Sequence, residues 1–301
     1  MDERPDRRMQ SGGPLNRNTI FLEDAEIVSQ NSFSGNQFIL RVHSPRCAAQ
    51  AKPGSFAHIT CDADFPMRRP LSIMRTNTTQ GWLEFLYKPV GQGLTKLSKH
   101  SKGYSISVLG PIGNGFDLDV NKPNVLAIGG GVGIPPMVFL SERYRLDDRF
   151  RLLVLMGSRV PFPFELTTGK KLEEFPSSAK SSLSLMESWG VVSRLASEAE
   201  YPGCFQGFVT ELADHWLKKQ SPKQIAKVQI VGCGPSAMLK ATAELARAYK
   251  IPCQIALEEF MACGVGGCAG CTVLVETDNG PAMKRVCVDG PVFDAHQVYP
   301  A

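Results

Sequence analysis

Three closely spaced cysteines near the C-terminus, followed by a fourth, constrain this chain more than any other feature. Cys263, Cys268 and Cys271 lie in the segment ACGVGGCAGC. Fifteen further residues separate this segment from Cys287, which is expected on the second strand of a hairpin. The spacing C-x4-C-x2-C is typical of a loop that holds a plant-type [2Fe-2S] cluster. The glycines of the segment permit a tight path with backbone N–H groups turned toward sulfur, so we interpret the four cysteines as cluster ligands.

Two other interpretations of these cysteines compete with the cluster. A structural zinc site also uses four thiolates but usually arranges them as two C-x2-C pairs, and the chain has one such pair here. Four unrelated buried thiols are a poorer explanation, because three of them fall on one short glycine-rich loop. The spacing therefore favours the cluster. The cysteines interpreted as ordinary small apolar residues are Cys47, Cys61, Cys204 and Cys253.

The composition is that of a globular chain with two or three domains. Its 301 residues are 43% hydrophobic and carry a formal charge of +4, a surplus too small to indicate nucleic-acid binding. The longest apolar stretch, residues 124–140, is broken by glycines and prolines and is too short to span a bilayer. The polar opening MDERPDRRMQSGGPLNRN differs from a signal segment. We therefore predict a cytosolic protein without membrane contact, in which thiols stay reduced.

The sequence pattern changes twice, which predicts three folded units after a flexible tail at residues 1–18. Residues 19–118 hold six short runs rich in β-branched and aromatic residues, which predicts an antiparallel β-barrel, with one short helix at 94–100. Residues 119–252 alternate buried-type strands with helical patterns, as in a parallel α/β dinucleotide-binding domain. Residues 253–301 hold the cysteines and little other regular structure, so we predict a small [2Fe-2S] domain.

Two turns in the middle unit indicate a dinucleotide site. In NVLAIGGGVGIPP a strand passes into a helix, and Gly131, Gly133 and Pro136 follow Gly129 in a G-x-G-x-x-P pattern. Such a turn directs backbone N–H groups at the helix N-terminus, where pyrophosphate is favoured. A second strand ends in CGP, beginning at Cys233. Each turn alone could be a simple strand-to-helix connection, but both are expected at the same carboxyl edge of the sheet, where ligands bind.

Two barrel segments carry groups suited to phosphate. MRRPLSIM places Arg69 and Ser72 three residues apart on a strand, and arginine can hold phosphate through its bidentate fork. LYKPVGQGL supplies a glycine-rich turn at Gly91 and Gly93 after another strand. An arginine on a strand is usually only solvated, so the informative observation is the combination of two phosphate-binding turns with a cysteine loop.

With these motifs in this order, the chain resembles the ferredoxin-NADP reductase superfamily. More closely, it resembles the electron-transfer subunits of class 1B dihydroorotate dehydrogenases. The densest match runs from CGPSAMLKATAELARAYKIPCQIALEEFMACGVGGCAGCTVLV to KRVCVDGPVFDA, and the order of motifs agrees from about residue 20 to the end. The resemblance implies a flavin-binding antiparallel barrel, a parallel α/β domain and a small C-terminal cluster domain.

The resemblance also implies three cofactors, namely FAD on the barrel, NAD on the α/β domain and [2Fe-2S] at the C-terminus. The residues implied for FAD are Arg69, Pro70, Leu71, Ser72, Leu86, Tyr87, Lys88, Gly93 and Leu94. Those implied for NAD are Gly129, Gly131, Gly133 and Cys233. Those implied for the cluster are Cys263, Cys268, Cys271 and Cys287. Ser158 and Arg159 after the second α/β strand could meet the 2′-phosphate of NADP, but Arg159 could equally be a solvated charge or bind the pyrophosphate. The family uses NAD, so we predict NAD.

The same resemblance implies half of an enzyme, with no catalytic base of its own. A separate FMN-containing subunit would oxidise dihydroorotate, and electrons would pass through the cluster and FAD to NAD+ in the synthesis of UMP. A heterotetramer with two copies of each subunit is implied, with contact near the cluster loop. An alternative with this architecture is a subunit of an NAD(P)H-dependent ferredoxin or sulfide reductase, or an oxygenase reductase component. A zinc-stabilised interaction module without redox function is the alternative from another class.

Overall fold

A computed structural model describes residues 19–300, so the tail predicted at 1–18 lies outside the described residues. The strands are β1 (Phe21–Phe33), β2 (Gln37–His43), β3 (Phe56–Ile59), β4 (Arg69–Asn77), β5 (Trp82–Tyr87), β6 (Ser105–Ile112), β7 (Asn124–Gly130), β8 (Arg151–Gly157), β9 (Leu166–Thr168), β10 (Ser181–Leu183), β11 (Val192–Ser197), β12 (Phe205–Gln206), β13 (Val228–Cys233), β14 (Cys253–Ala256), β15 (Thr272–Thr277), β16 (Gly280–Arg285) and β17 (Val292–Asp294). The helices are α1 (Pro45–Gln50), α2 (Gly91–Leu97), α3 (Ile134–Tyr144), α4 (Ser184–Ser188), α5 (Val209–Lys218), α6 (Pro222–Ile225), α7 (Ser236–Tyr249) and α8 (Ala295–Val298).

The first six strands close into an antiparallel barrel in the order β1-β2-β5-β4-β3-β6. Apolar side chains from its strands fill the interior, among them Ile27, Leu40, Ile73 and Phe85. The short helix of this part starts at Gly91, three residues before the predicted start, because the glycine-rich turn is itself the first helical turn. The predicted barrel is confirmed.

The middle of the chain forms a seven-stranded sheet in the order β12-β11-β8-β7-β13-β14-β17. Neighbouring strands run parallel except for β14 and β17, which are antiparallel. The central strand β7 is buried from Val125 to Gly130, as expected for a strand covered on both faces. Together with the barrel and the C-terminal cysteine segment, this sheet confirms the predicted fold class. No helix within residues 19–300 is both long and apolar enough to cross a membrane.

The cysteine-containing part of the chain leaves this sheet and then returns to it. β14 precedes the excursion and β17 follows it, and the two strands pair with Gln254 opposite Asp294. Residues 257–291 between them, called here the cluster segment, include the hairpin β15–β16. The predicted boundary at residue 253 coincides with the start of β14, so the cluster segment is an excursion from the sheet with both ends held in it.

The stretch 160–206 folds around a buried arginine. Arg194 on β11 is 2% exposed, and its guanidinium donates to the carbonyl oxygens of Ser193 and Lys170. The guanidinium also lies 5.7 Å from the centre of the Phe175 ring. A buried cation satisfied largely by backbone carbonyls fixes the path of the irregular loop that precedes β10.

An ion network joins the barrel to the first helix of the α/β domain. Glu84 on β5 accepts a hydrogen bond from Arg41 at 2.6 Å and lies 3.7 Å from Arg75. Arg75 in turn contacts Glu142 of α3 at 2.7 Å. The ring of Trp82 lies 4.1 Å from the Arg41 guanidinium carbon. These contacts hold β4 and β5 against α3.

Replacing the central carboxylate of this network is expected to destabilise the protein. The change Glu84→Gln leaves Arg41 and Arg75 close together without the negative charge between them, at a site where the carboxylate is 8% exposed. Loss of charged hydrogen bonds there should lower the free energy of unfolding by about 2 kcal/mol, measured by urea denaturation. The matched control is Arg149→Gln, which removes the exposed ion pair with Asp147 and should not change the urea midpoint. Equal effects of the two changes would contradict the role given to Glu84.

Candidate functional site

The four cysteines of the cluster segment come together beside the hairpin β15–β16. Cys271 immediately precedes β15, and its Sγ lies 3.3 Å from that of Cys287. The prediction that Cys287 lies on the second strand is wrong by two residues, because β16 ends at Arg285 and the thiol sits in the following turn. Cys263 and Cys268 lie on the preceding loop with their thiols in hydrogen-bonding contact. The structure therefore gathers all four predicted ligands.

Backbone N–H groups of this loop point at the sulfurs. The amide of Val265 donates to Cys263 Sγ at 3.5 Å, and that of Gly270 donates to Cys268 Sγ at 3.4 Å. The loop makes room for this arrangement at Gly264, whose φ of +68° lies in the left-handed region. Amides aimed at sulfur stabilise thiolate ligands and the negative charge of an iron–sulfur cluster.

The electrostatics of the thiols also fit a cationic metal centre. Burial opposes ionisation of Cys263, but hydrogen bonds from backbone amides, that of Val265 first, outweigh it and lower the pKa to about 6. Burial and the neighbouring Cys271 raise the pKa of Cys287. Two thiols this close can both ionise only when a cation such as a metal ion compensates their charge. In the described part of the chain, no three His, Cys, Asp or Glu side chains surround a single metal position, and the four thiols lie as two pairs, Cys263 with Cys268 and Cys271 with Cys287.

The cluster segment is docked on the end of the barrel. Phe56 and Ile112 of the barrel share a buried cluster with Cys271 and Cys287. The side-chain amide of Asn114 donates to the carbonyl oxygens of residues 288 and 289 at 3.2 Å each. This packing fixes the cysteines relative to the barrel rather than leaving them on a free tail.

The two turns predicted to bind a dinucleotide lie side by side. Gly129 near the end of β7 is the register partner of Cys233 at the end of β13. A 3-10 turn, Gly131–Gly133, leads from β7 into α3, and Pro235 precedes α7. Both helix N-termini open at the same carboxyl edge of the sheet, where pyrophosphate is favoured. The four residues predicted for NAD are thus brought together, and their role in binding stays a prediction.

The two turns can lie in close contact because Gly133 has no side chain. A Cβ there would overlap the backbone carbonyl of Cys233 and the amide nitrogen of Gly234. The Cys233 thiol is buried, and burial followed by the charge of Glu258 raises its pKa to about 12. Cys233 therefore offers a small neutral group at this edge, not a reactive thiolate.

The residues predicted for FAD lie on three neighbouring elements. They are Arg69, Pro70, Leu71 and Ser72 of β4, Leu86 and Tyr87 of β5, Lys88 after it, and Gly93 and Leu94 of α2. β4 and β5 pair with Ile73 opposite Phe85, so the start of one lies beside the end of the other. The Phe65 ring lies between the start of β4 and α2. It is 3.4 Å from the position that a Cβ would take on Gly93 and 5.5 Å from the Arg69 guanidinium.

Only some of these residues can present a side chain to a ligand. Leu71, Leu86 and Tyr87 are buried, and the Tyr87 hydroxyl donates to Gln30 at 2.9 Å. These three residues can therefore contact a ligand through their backbone but not through their side chains. Arg69 is half-buried, and within residues 19–300 its guanidinium makes no ion pair with a carboxylate. Its charge is therefore available to an anionic ligand.

The candidate flavin and dinucleotide regions meet across the domain boundary. Leu86 of the barrel, Ile134 at the start of α3 and Cys233 at the end of β13 belong to one buried cluster. A ligand on the outer face of β4 and β5 would therefore lie next to a ligand at the dinucleotide turn.

The cluster segment reaches the same region from the other side, with β3 in between. Phe56 of β3 is the register partner of Ser72 on the predicted flavin strand. The same Phe56 packs with Cys271 and Cys287. These contacts place the dinucleotide turn, the strand predicted to bind FAD and the cysteines next to one another.

One residue between the strand predicted to bind FAD and the cluster segment, His58, was not predicted from the sequence. It is fully buried on β3, opposite Pro70 of β4, and its ring touches the cluster segment at Gly264. Burial, followed by the charge of Arg68, lowers the pKa of His58 and keeps the ring neutral. A single histidine on an alternating strand resembles a core residue, and no local spacing connects it with cysteines far along the chain.

Barrel, sheet and cysteine segment together define an electron-transfer reductase of the ferredoxin–NADP reductase type. A solved structure described as an NADH-dependent reduced ferredoxin–NADP oxidoreductase, studied for flavin-based electron bifurcation, matches with a TM-score of 0.72 at 26% identity. The match covers 92% of this chain and 90% of that one.

The particular family follows from the sequence matches. Residues 258–299 match the model of the iron–sulfur cluster binding domain of dihydroorotate dehydrogenase B. The electron transfer subunit of dihydroorotate dehydrogenase B (NAD(+)) from Caldanaerobacter subterraneus is 34% identical over 82% of this chain and 86% of its own length. That from Listeria innocua is 34% identical over 91% and 98%, respectively. The chain belongs to the family of electron transfer subunits of dihydroorotate dehydrogenase B.

Proposed function

We propose that this chain carries electrons between a dihydroorotate-oxidising partner and NAD+, through [2Fe-2S] and FAD, in pyrimidine (UMP) biosynthesis. The observation that carries the proposal is the order of the three candidate sites. The cysteines pack against β3, β3 pairs with the flavin strand β4, and Leu86 on the neighbouring strand β5 packs with the dinucleotide turn. Family membership supplies the reaction in which this order is used.

The three groups divide the chemistry between them. A nicotinamide exchanges two electrons as hydride, an iron–sulfur cluster exchanges one at a time, and a flavin can do both. The chain's own residues bind and orient these groups. Arg69 offers a positive charge to phosphate, the turn at Gly131 offers backbone N–H groups to pyrophosphate, and the four cysteines offer sulfur to iron.

The charges at the sheet edge support NAD rather than NADP. Arg159, which could have met a 2′-phosphate, donates to Glu198 at 2.5 Å. The neighbouring Ser158 hydroxyl donates to the carbonyl oxygen of Val160 at 2.7 Å. A carboxylate at this edge repels a phosphate and can instead accept hydrogen bonds from a ribose diol.

An apolar surface beside the cysteines suits the docking of the partner subunit. Leu274 and Met283 are cross-strand neighbours on β15–β16 and are 58% and 61% exposed. Phe260 and Val265 of the same segment are 94% and 50% exposed. Such residues beside a redox centre match the apolar core of a protein–protein interface. We place an FMN-containing catalytic subunit here, in a cytosolic heterotetramer with two copies of each chain.

The proposed function is tested with the purified full-length chain. It should show flavin absorbance bands together with the broad absorbance of an iron–sulfur cluster, and NADH should bleach both. It should reduce an artificial one-electron acceptor with NADH but should not oxidise dihydroorotate alone. Turnover of dihydroorotate by the isolated chain would contradict the subunit role, and a colourless protein with stoichiometric zinc would contradict the electron-transfer role.

Placing a charge in the apolar surface should weaken the complex. In Leu274→Asp, a buried carboxylate without a partner at the interface should raise the dissociation constant for the FMN subunit more than about tenfold. Isothermal titration calorimetry with the two purified subunits measures this change. The matched control is Leu146→Asp, an exposed leucine of the α/β domain, which should leave the affinity unchanged. Equal affinities for Leu274→Asp and the unaltered chain would place the interface elsewhere.

A further inference from the structure

His58 is a buried polar side chain without a completed hydrogen bond. It is 0% exposed, and neither Nδ1 nor Nε2 has a hydrogen-bond partner within residues 19–300. Arg194 Nε shares this state, but the rest of that guanidinium is bonded to carbonyl oxygens. Buried polar groups are nearly always paired, because leaving one unpaired costs its full desolvation penalty. The imidazole therefore needs a hydrogen-bond partner among the groups that surround it.

The surroundings of the ring identify where that partner lies. Nδ1 is 2.8 Å from the position that a Cβ would take on Gly264, so the ring touches the cluster segment. The backbone of Arg68 on the barrel and that of Cys263 and Met261 on the cluster segment also border the ring. Through β3, His58 pairs in register with Pro70 of the predicted flavin strand. The imidazole thus stands between the strand assigned to FAD and the loop assigned to the cluster.

We propose that His58 is a positioning residue that donates a hydrogen bond to a backbone carbonyl of the segment Met261–Cys263 and so fixes the cluster loop on the flavin-binding barrel. This inference rests on the proposed function. A neutral imidazole offers one N–H donor. The backbone groups beside the ring belong to Arg68 of the barrel and to Cys263 and Met261 of the loop, and Nδ1 is the nitrogen that faces the loop. The residue acts through the loop and does not need to touch the cluster.

Fixing the loop should also affect the reduction potential of the cluster. The potential of an iron–sulfur cluster depends on hydrogen bonds to its sulfurs and on its exposure to solvent. The amide of Val265 is aimed at Cys263 Sγ from the loop that His58 holds. This hydrogen bond stabilises the reduced, more negatively charged cluster more than the oxidised one. Releasing the loop weakens the bond and so disfavours reduction. Loss of the His58 contact should therefore lower the reduction potential of the cluster.

Two substitutions in the full-length, cofactor-loaded chain separate hydrogen bonding from packing. His58→Phe keeps a ring but cannot donate, whereas His58→Gln can donate through its amide. We expect His58→Phe to bind FAD fully, to shift the cluster's EPR signal and lower its potential, and to lose iron to a chelator more than about tenfold faster. His58→Gln should restore most of each property. An unchanged potential, EPR signal and rate of iron loss in His58→Phe, or equal impairment in His58→Gln, would overturn the proposal.

A second variant tests the same contact without altering the histidine. In Gly264→Ala the new Cβ would lie 2.8 Å from Nδ1 and should push the loop off the ring. The left-handed φ of Gly264 adds backbone strain to the alanine variant. We therefore expect an EPR shift at least as large as that of His58→Phe, and a shift in the combined variant that is smaller than the sum of the two, because both changes break one contact. Fully additive shifts would overturn the proposal. The control His215→Phe, on α5, should leave the EPR signal unchanged.

The failure of this inference can be distinguished from failure of the proposed function. If the unaltered chain holds no iron–sulfur cluster, the proposed function fails and this inference with it. If the unaltered chain holds the cluster and the variants do not differ from it, only the role of His58 fails.

Discussion

Replacing Cys268 with serine should remove the iron–sulfur cluster and leave FAD bound. The Cys268 thiol is exposed, so serine loses no core packing, and the barrel lies outside the altered loop. A hydroxyl is a much poorer ligand for iron than a thiolate, and iron per chain should fall more than about tenfold. Iron analysis and visible absorbance measure the loss, and the flavin band after denaturation measures bound FAD.

The matched control for this experiment is Cys204→Ser, which alters a buried thiol of the α/β domain outside the four-cysteine set. Iron content should stay at the level of the unaltered chain. Retention of a full cluster in Cys268→Ser would show that another residue completes the ligand set. Loss of FAD together with iron would show that the barrel does not hold its cofactor independently of the cluster segment.

Gly133→Ala should disrupt the dinucleotide site more than any other single methyl group added there. The new Cβ would overlap the backbone of Cys233 and Gly234, which cannot move aside as a side chain could. Forcing the two turns apart should cost about 2 kcal/mol of stability. The dissociation constant for NADH should rise more than about tenfold, which corresponds to about 1.4 kcal/mol.

Gly232→Ala provides the comparison, because a Cβ on this neighbouring glycine would make ordinary contacts, the nearest at 3.5 Å. Its affinity for NADH, measured by flavin bleaching at graded NADH concentrations, should stay within a factor of about two of the unaltered chain. If Gly133→Ala binds NADH as Gly232→Ala does, the close approach of the two turns has no part in the site.

The parts of the site that the sequence predicted are those set by local spacing. Cys263, Cys268 and Cys271 fall on one short loop, so their grouping follows from the order of residues alone. The dinucleotide turns could be placed together because the carboxyl ends of parallel strands share one edge, and Gly129 does pair with Cys233. The cysteines are grouped by local spacing, whereas the two turns are brought together by the general rule for parallel sheets, although they are far apart in sequence.

The parts that could not be predicted depend on contacts between distant segments. The position of Cys287 just beyond β16 depends on hairpin register, which the turn sets and the hydrophobic pattern of this exposed hairpin does not. Helix α1 is short and its sequence has no strong helical periodicity, so the pattern did not predict it. The burial of His58 against Gly264 joins residues of two different units, and only the folded chain shows it.

The return of the cluster segment to the sheet bears on how the protein matures. Because β14 and β17 are hydrogen-bonded neighbours, closing the sheet brings both ends of residues 257–291 together before any metal is present. Cys271 and Cys287 are already adjacent once the hairpin between them forms. In a zinc finger, by contrast, metal binding itself drives folding. We therefore expect iron to be delivered after the sheet has closed, and a chain that loses its iron should be reloadable without being unfolded.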